Sequence, residues 1–166
     1  MGYLVGVPLL ALLAVLQATV FGQFRLLDGA PDLILLAVVA WALTGQKVQA
    51  MIFGLAGGLM LDLFSGIPLG ATSIALILSA FLVSFTEESF WEAHLLMPLT
   101  AVLVTSLIFH AVNLLVLLLM GRLPEINYAL TQVILPSVFV NVILALPSAQ
   151  LAESLEQSLY PPEVGI

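Results

Sequence analysis

Few residues in this chain have the chemistry to do more than fill space, and the most conspicuous of them is an acid inside an apolar run. Asp62 lies in GLAGGLMLDLFSGIPLG, which spans Gly54 to Gly70. An ionisable group within an apolar segment long enough to cross a membrane is costly and is by default a functional candidate. Gly54 and Gly58 precede it at four-residue spacing, so all three share one helical stripe. Two readings of Asp62 stand open. It makes a partner or buried polar contact, or it satisfies backbone groups of the turn that follows, since Ser65, Gly66 and Pro68 end the helix within about a turn. The glycines read as a small-xxx-small surface that lets helix backbones approach closely, inside the chain or against another one. The plainer alternative is that glycine is common in membrane helices.

A second group comprises His110, Asn113 and Asn141. The first two are three residues apart and share a helix face, with Thr105 and Ser106 about a turn before them. All three side chains are expected to point into the protein, because hydrocarbon offers them no hydrogen bond. They form either a polar pocket or proton path, or interhelical hydrogen bonds of the ordinary kind. No acid lies near His110 in sequence, and a proton relay usually recruits Asp or Glu, so the second reading is preferred. No metal site is expected, since the chain has two histidines and no cysteine. No nucleophile has a base beside it and no Gly-rich phosphate loop exists. Catalytic residues, enzyme activity and cofactors are therefore not expected.

The elements that carry these residues follow from composition. Hydrophobic residues make up 62% of the 166 and charged ones 8%, with a mean hydropathy of +1.22. A soluble domain of this size is about a quarter charged. The class is therefore all-α and polytopic, a single transmembrane domain over 1–166 surrounded by lipid. Apolar runs near the roughly 20 residues a crossing needs predict six spans, at about 3–21, 31–45, 47–64, 68–85, 95–120 and 128–151. The second is short. Pro31 suits its first turn and Asp32 its helix N-terminus. Arg25 and Asp28 mark the first loop, and Glu87, Glu88 and Glu92 with Phe90 and Trp91 mark the fourth. Pro98, Pro136 and Pro147 are expected to kink their helices. Met1 to Gly6 lacks the basic residues of a cleavable signal, so the first run reads as a retained span. An even count puts both termini on one side, but Arg25 and Arg122 against Lys47 is too small a bias to orient the chain. A net charge of −7 excludes nucleic acid as a partner.

The run Gly58-x-x-x-Asp62-x-x-Ser65-Gly66-x-x-Leu69-Gly70 resembles the signature of the MreD family, the bacterial rod shape-determining membrane proteins. Gln17 late in the first span, Pro31-Asp32 opening PDLILL, Trp41 after it, the length and the six-span layout are similar too. The specific motifs lie between Gln17 and Gly70, and the last two spans match only in hydropathy. The resemblance implies a non-enzymatic scaffold of the machinery that builds the lateral peptidoglycan of rod-shaped cells. It implies binding to the single-span protein MreC, and work alongside MreB, a RodA-type glycosyltransferase and a class B penicillin-binding protein. It further implies the bacterial cytoplasmic membrane as location, with both termini cytoplasmic. The overall fold would be similar to the six-helix substrate-binding subunits of energy-coupling-factor transporters. The alternative function is such a substrate-binding subunit or a small carrier, which would need polar groups lining a cavity.

Overall fold

The structure, a computed structural model, describes residues 2–21, 29–85, 96–122 and 125–161. The loop positions Arg25, Asp28, Glu87, Glu88, Phe90, Trp91 and Glu92, together with Pro124 and the tail beyond Pro161, lie outside them. The described residues form six helical elements and no strand, an all-α polytopic membrane protein. Helix α1 is Gly2–Leu16, continued by a π-helical turn Gln17–Phe21. Helices α2 (Leu33–Leu43), α3 (Lys47–Ser65), α4 (Ala71–Ser84) and α5 (Leu96–Leu119) follow. The last element, α6, is continuously helical over Ile126–Leu159, with a π-helical stretch Ala129–Ile134 just before Pro136. Pro136 has no N–H to give the carbonyl four residues back, and a wider turn there is one way helices absorb that loss.

Four elements, α1, α3, α5 and α6, are long and apolar enough to cross a membrane. Helix α2 is not. Its 11 residues rise about 16 Å, roughly half of a bilayer's hydrocarbon core. It is also apolar on every side, and a helix of that kind belongs in a protein interior. Nine of its residues are buried, Ile34, Leu35, Val38 and Val39 completely so. Helices α1, α3, α4, α5 and α6 all pack around it. The short second apolar run is thus the axis of the bundle and not a lipid-facing span.

The described ends of the chain meet at one end of the bundle. Buried Gln49 accepts a hydrogen bond from Trp41 Nε1 (2.9 Å) and donates one to the Tyr160 hydroxyl (2.9 Å). A Cβ on Gly2 would lie 2.7 Å from both Gln49 Nε2 and Tyr160 Oη. Gln46 Nε2 donates to Glu156 Oε1 beside them (3.2 Å). Gln49 was not among the candidate residues. Its only signal in sequence is a glutamine eight residues after a tryptophan, which says nothing by itself.

Candidate functional site

The singled-out polar residues other than Asn113 gather at two places, and in both the main task is the same: to satisfy the start of a helix that has no good cap of its own. The first N–H groups of any helix have no partner within it. Helix α4 has Gly70 as its N-cap, which has no side chain to accept from the two free donors there, Gly70 N and Thr72 N. Asp62, from the end of α3, accepts from both. Its Oδ2 accepts from Gly70 N (2.6 Å) and its Oδ1 from Thr72 N (3.2 Å). Asp62 is 3% exposed, and its carboxylate sits at the positive end of the α4 dipole, where an anion is favoured. Between the helices Gly66 and Gly70 have φ of 65° and 96°. Nothing crowds either position, so glycine serves there because it adopts left-handed backbone without strain. Leu69 is 67% exposed on the outside of this turn. Ser65 Oγ is 3.5 Å from Asp62 O, too long to hold the turn.

The stripe that ends in Asp62 faces α4 along its length, so the close neighbour of the glycines is internal. A Cβ at Gly54 would lie 3.1 Å from Leu76 C, and one at Gly58 would lie 2.5 Å from Ser73 N and 2.6 Å from its Oγ. Gly57, one position off the stripe, faces Ile34 of α2 instead. Ser73 Oγ in turn donates to Leu55 O across the contact (3.1 Å). At Asp62 each carboxylate oxygen has its own N–H, so Asp62→Asn is expected to keep one bond and point its NH2 at the other donor. Asp62→Ala removes both, at roughly 1–3 kcal/mol for each stranded donor. Melting of the purified protein should rank wild type above Asn and Asn above Ala. Equal loss in the two variants would mean that the charge, and not the acceptors, is what matters.

The second place is the start of α2. Asp32 is its N-cap, yet its carboxylate makes no bond to its own helix, and Pro31 lies before the helix, not in its first turn. The free donors there are met from other helices: Ile34 N by Gln17 Oε1 of α1 (3.1 Å) and Asp32 N by Asn141 Oδ1 of α6 (2.8 Å). Asn141, fully buried, returns Nδ2 to Asp32 Oδ2 (2.8 Å) and to Ser106 Oγ of α5 (3.1 Å). Just upstream, Ala30 N donates to Ser137 Oγ (3.2 Å), and Gly29 packs on the backbone of Pro136. Asn141 is fifteen residues into α6, roughly 20 Å along it. The non-helical stretch 29–32 therefore reaches deep into the bundle, which membrane proteins tolerate only where side chains or water meet its backbone groups.

His110 has the acidic neighbour that its surroundings in sequence lack. Its Nε2 is 3.3 Å from Asp32 Oδ2, with both side chains 13% exposed. The contact is at ion-pair distance but off the hydrogen-bond line, and Nε2 has no hydrogen-bond partner. Asn113 stands apart. Its Nδ2 donates to Phe109 O of the same helix (3.0 Å), and its Oδ1 is buried without a partner. The structure thus joins Asp32, Ser106, His110 and Asn141 and leaves Asn113 out. Among the described residues no group of three His, Cys, Asp or Glu is arranged to hold a metal.

A family model described as rod shape-determining protein MreD matches residues 1–154. The chain belongs to the MreD family. No curated protein and no solved structure matches it. The match takes in every residue of both cross-helix caps, so in this MreD-family chain they lie inside the family's own region. It also covers α5 and most of α6, where the resemblance in sequence rests on hydropathy alone. Family membership makes the chain a rod-shape-determining membrane protein.

Proposed function

We propose that the chain is a non-catalytic scaffold in the cytoplasmic membrane, binding MreC and serving lateral peptidoglycan synthesis beside MreB, a RodA-type glycosyltransferase and a class B penicillin-binding protein. The family match over residues 1–154 carries this reading. The bundle is consistent with it: Asp62, Asp32 and Asn141, the residues with most potential for chemistry, use their polar atoms to tie helices together. In this reading the six elements lie together within the membrane, with α2 enclosed by the others, and both termini face the cytoplasm.

Copurification tests it directly. The affinity-tagged chain is expected to retain MreC through washing in mild detergent, and His110→Gln to retain it equally. A chain that holds no MreC but binds a vitamin tightly would replace the scaffold with a transport subunit. For orientation, Ser158→Cys near the end of α6 should react with an impermeant thiol reagent only after the cells are opened. Reaction from outside intact cells would reverse the topology.

A further inference from the structure

His110 of α5 and Asp32 at the head of α2 are an ionisable pair that the helix links do not need. Asp32 Oδ2 already accepts from Asn141 Nδ2 (2.8 Å), and Asn141 donates to Ser106 Oγ of α5 (3.1 Å). Helices α2, α5 and α6 are thus joined without the imidazole. Yet His110 Nε2 is buried without a hydrogen bond, 3.3 Å from Asp32 Oδ2. Two lone pairs facing each other at that distance, away from water, would repel, so Nε2 carries a hydrogen. A neutral ring then has its free lone pair on Nδ1, and the pair carries one net negative charge. Nothing packed around it offsets that charge. Helices α1, α2 and α4 contain no Asp, Glu, Lys, Arg or His, and α5 has His110 alone. On α3, Lys47 is the first residue and Asp62 is spent on α4. On α6, Glu153 and Glu156 lie twelve residues or more past Asn141, roughly 18 Å. Tyr3, Tyr128 and Tyr160 are at helix ends, and Arg122 is exposed beyond α5. An unbalanced buried charge among apolar helices is costly, and one added proton removes it.

We propose that Asp32 and His110 form a proton-binding site inside the bundle, filled by one proton from water. The proton bonds to the Nδ1 lone pair and makes the ring an imidazolium; no other bond forms or breaks. The pair is then neutral. Its Nε2–H, now on a cation, is drawn onto Asp32 Oδ2 as a charge-assisted hydrogen bond, which is stronger and shorter than a neutral one. The contact is already at 3.3 Å, so a small turn of the ring brings it into line. Each side chain is 13% exposed, so a proton can reach the ring although Nε2 itself is sealed. The bound proton adds a second tie between α5 and the head of α2, beside the one through Asn141. Its occupancy therefore sets how firmly α5 is held to the axis of the bundle. The proposal does not depend on the MreC reading.

The charge on the ring can be read directly. His94 is the other histidine of the chain, so His94→Gln leaves His110 as the one source of imidazole signal. The test uses that full-length variant in phospholipid bilayers at neutral pH, isotope-labelled at histidine nitrogen and aspartate carbon. Solid-state NMR should show both ring nitrogens protonated and Nε2 in dipolar contact with an aspartate Cγ. Asp32→Asn in the same background keeps the size and one acceptor oxygen but removes the charge. It should cost the ring one of its two protons. A ring with one unprotonated nitrogen in the His94→Gln chain would overturn the proposal, whether or not the Asp32 variant folds. So would an imidazolium that persists in Asp32→Asn, because something other than the pair would then hold the proton.

Discussion

Gly58→Leu is expected to force α3 and α4 apart and to deplete the protein from the membrane. A bare Cβ at this position already lies 2.5 Å from the backbone nitrogen of Ser73 and 2.6 Å from its Oγ. The obstruction is the backbone of the opposite helix, which cannot swing aside as a flexible side chain would. Overpacking a core costs about 1–3 kcal/mol, and more where backbone must move. The consequences extend beyond the contact itself. Asp62 is one turn further along the same stripe, so helices that separate at Gly58 pull its carboxylate from Gly70 N and Thr72 N and uncap α4. Gly58→Ala should show the same defect in milder form. Protein level and melting temperature in detergent read the effect. Normal values for the leucine variant would show that α3 and α4 do not pack as described.

Asn141→Leu should be the most damaging single change among the polar residues. Leucine keeps the approximate volume but gives up three hydrogen bonds, two to Asp32 and one to Ser106. It leaves the Asp32 N–H unpaired and takes a donor from a buried carboxylate. A stranded buried donor costs about 1–3 kcal/mol, and a hydrogen bond to a charged group is worth about 1.5–3. Together they suggest about 3–5 kcal/mol, the loss typical of removing one partner from a buried charge. Removing both polar partners is far less harmful than stranding one. Asp32→Leu with Asn141→Leu should therefore recover part of the stability lost in Asn141→Leu alone, as read from melting curves. A silent single variant, or a double variant worse than the sum of the singles, would rule out the pairing.

The two caps were not equally legible in sequence. Asp62 and its targets are within ten residues, and the glycines and proline between them announce a turn, so a role for the acid at that turn could be stated beforehand. Asp32 looked much the same: an acid after proline at the head of an apolar run. There the local reading assigned the carboxylate to its own helix N-terminus, and the structure gives it to an asparagine 109 residues away. The absence of an acid near His110 in sequence misled for the same reason. The acid is on another helix, 3.3 Å off.

Composition and the length of the apolar runs determined the class: 62% hydrophobic and 8% charged residues put the chain in lipid, where only helices and closed barrels satisfy the backbone, and unbroken apolar runs near 20 residues select helices. The motif between Gly58 and Gly70, with Gln17, Pro31-Asp32 and Trp41, pointed to the family that the match over residues 1–154 shows. Tertiary structure alone decided that α2 is the buried axis, that Gly54 and Gly58 face α4, and that Asp32 belongs with Asn141. The physical reason lies in the solvent. In water a helix shows by its polar face which side is outside, and so which side meets its neighbours. In lipid both sides are apolar, and the pattern along each helix no longer says which neighbour it meets. The few polar groups must still pair, but which partner each one finds is set by the packing of the whole bundle.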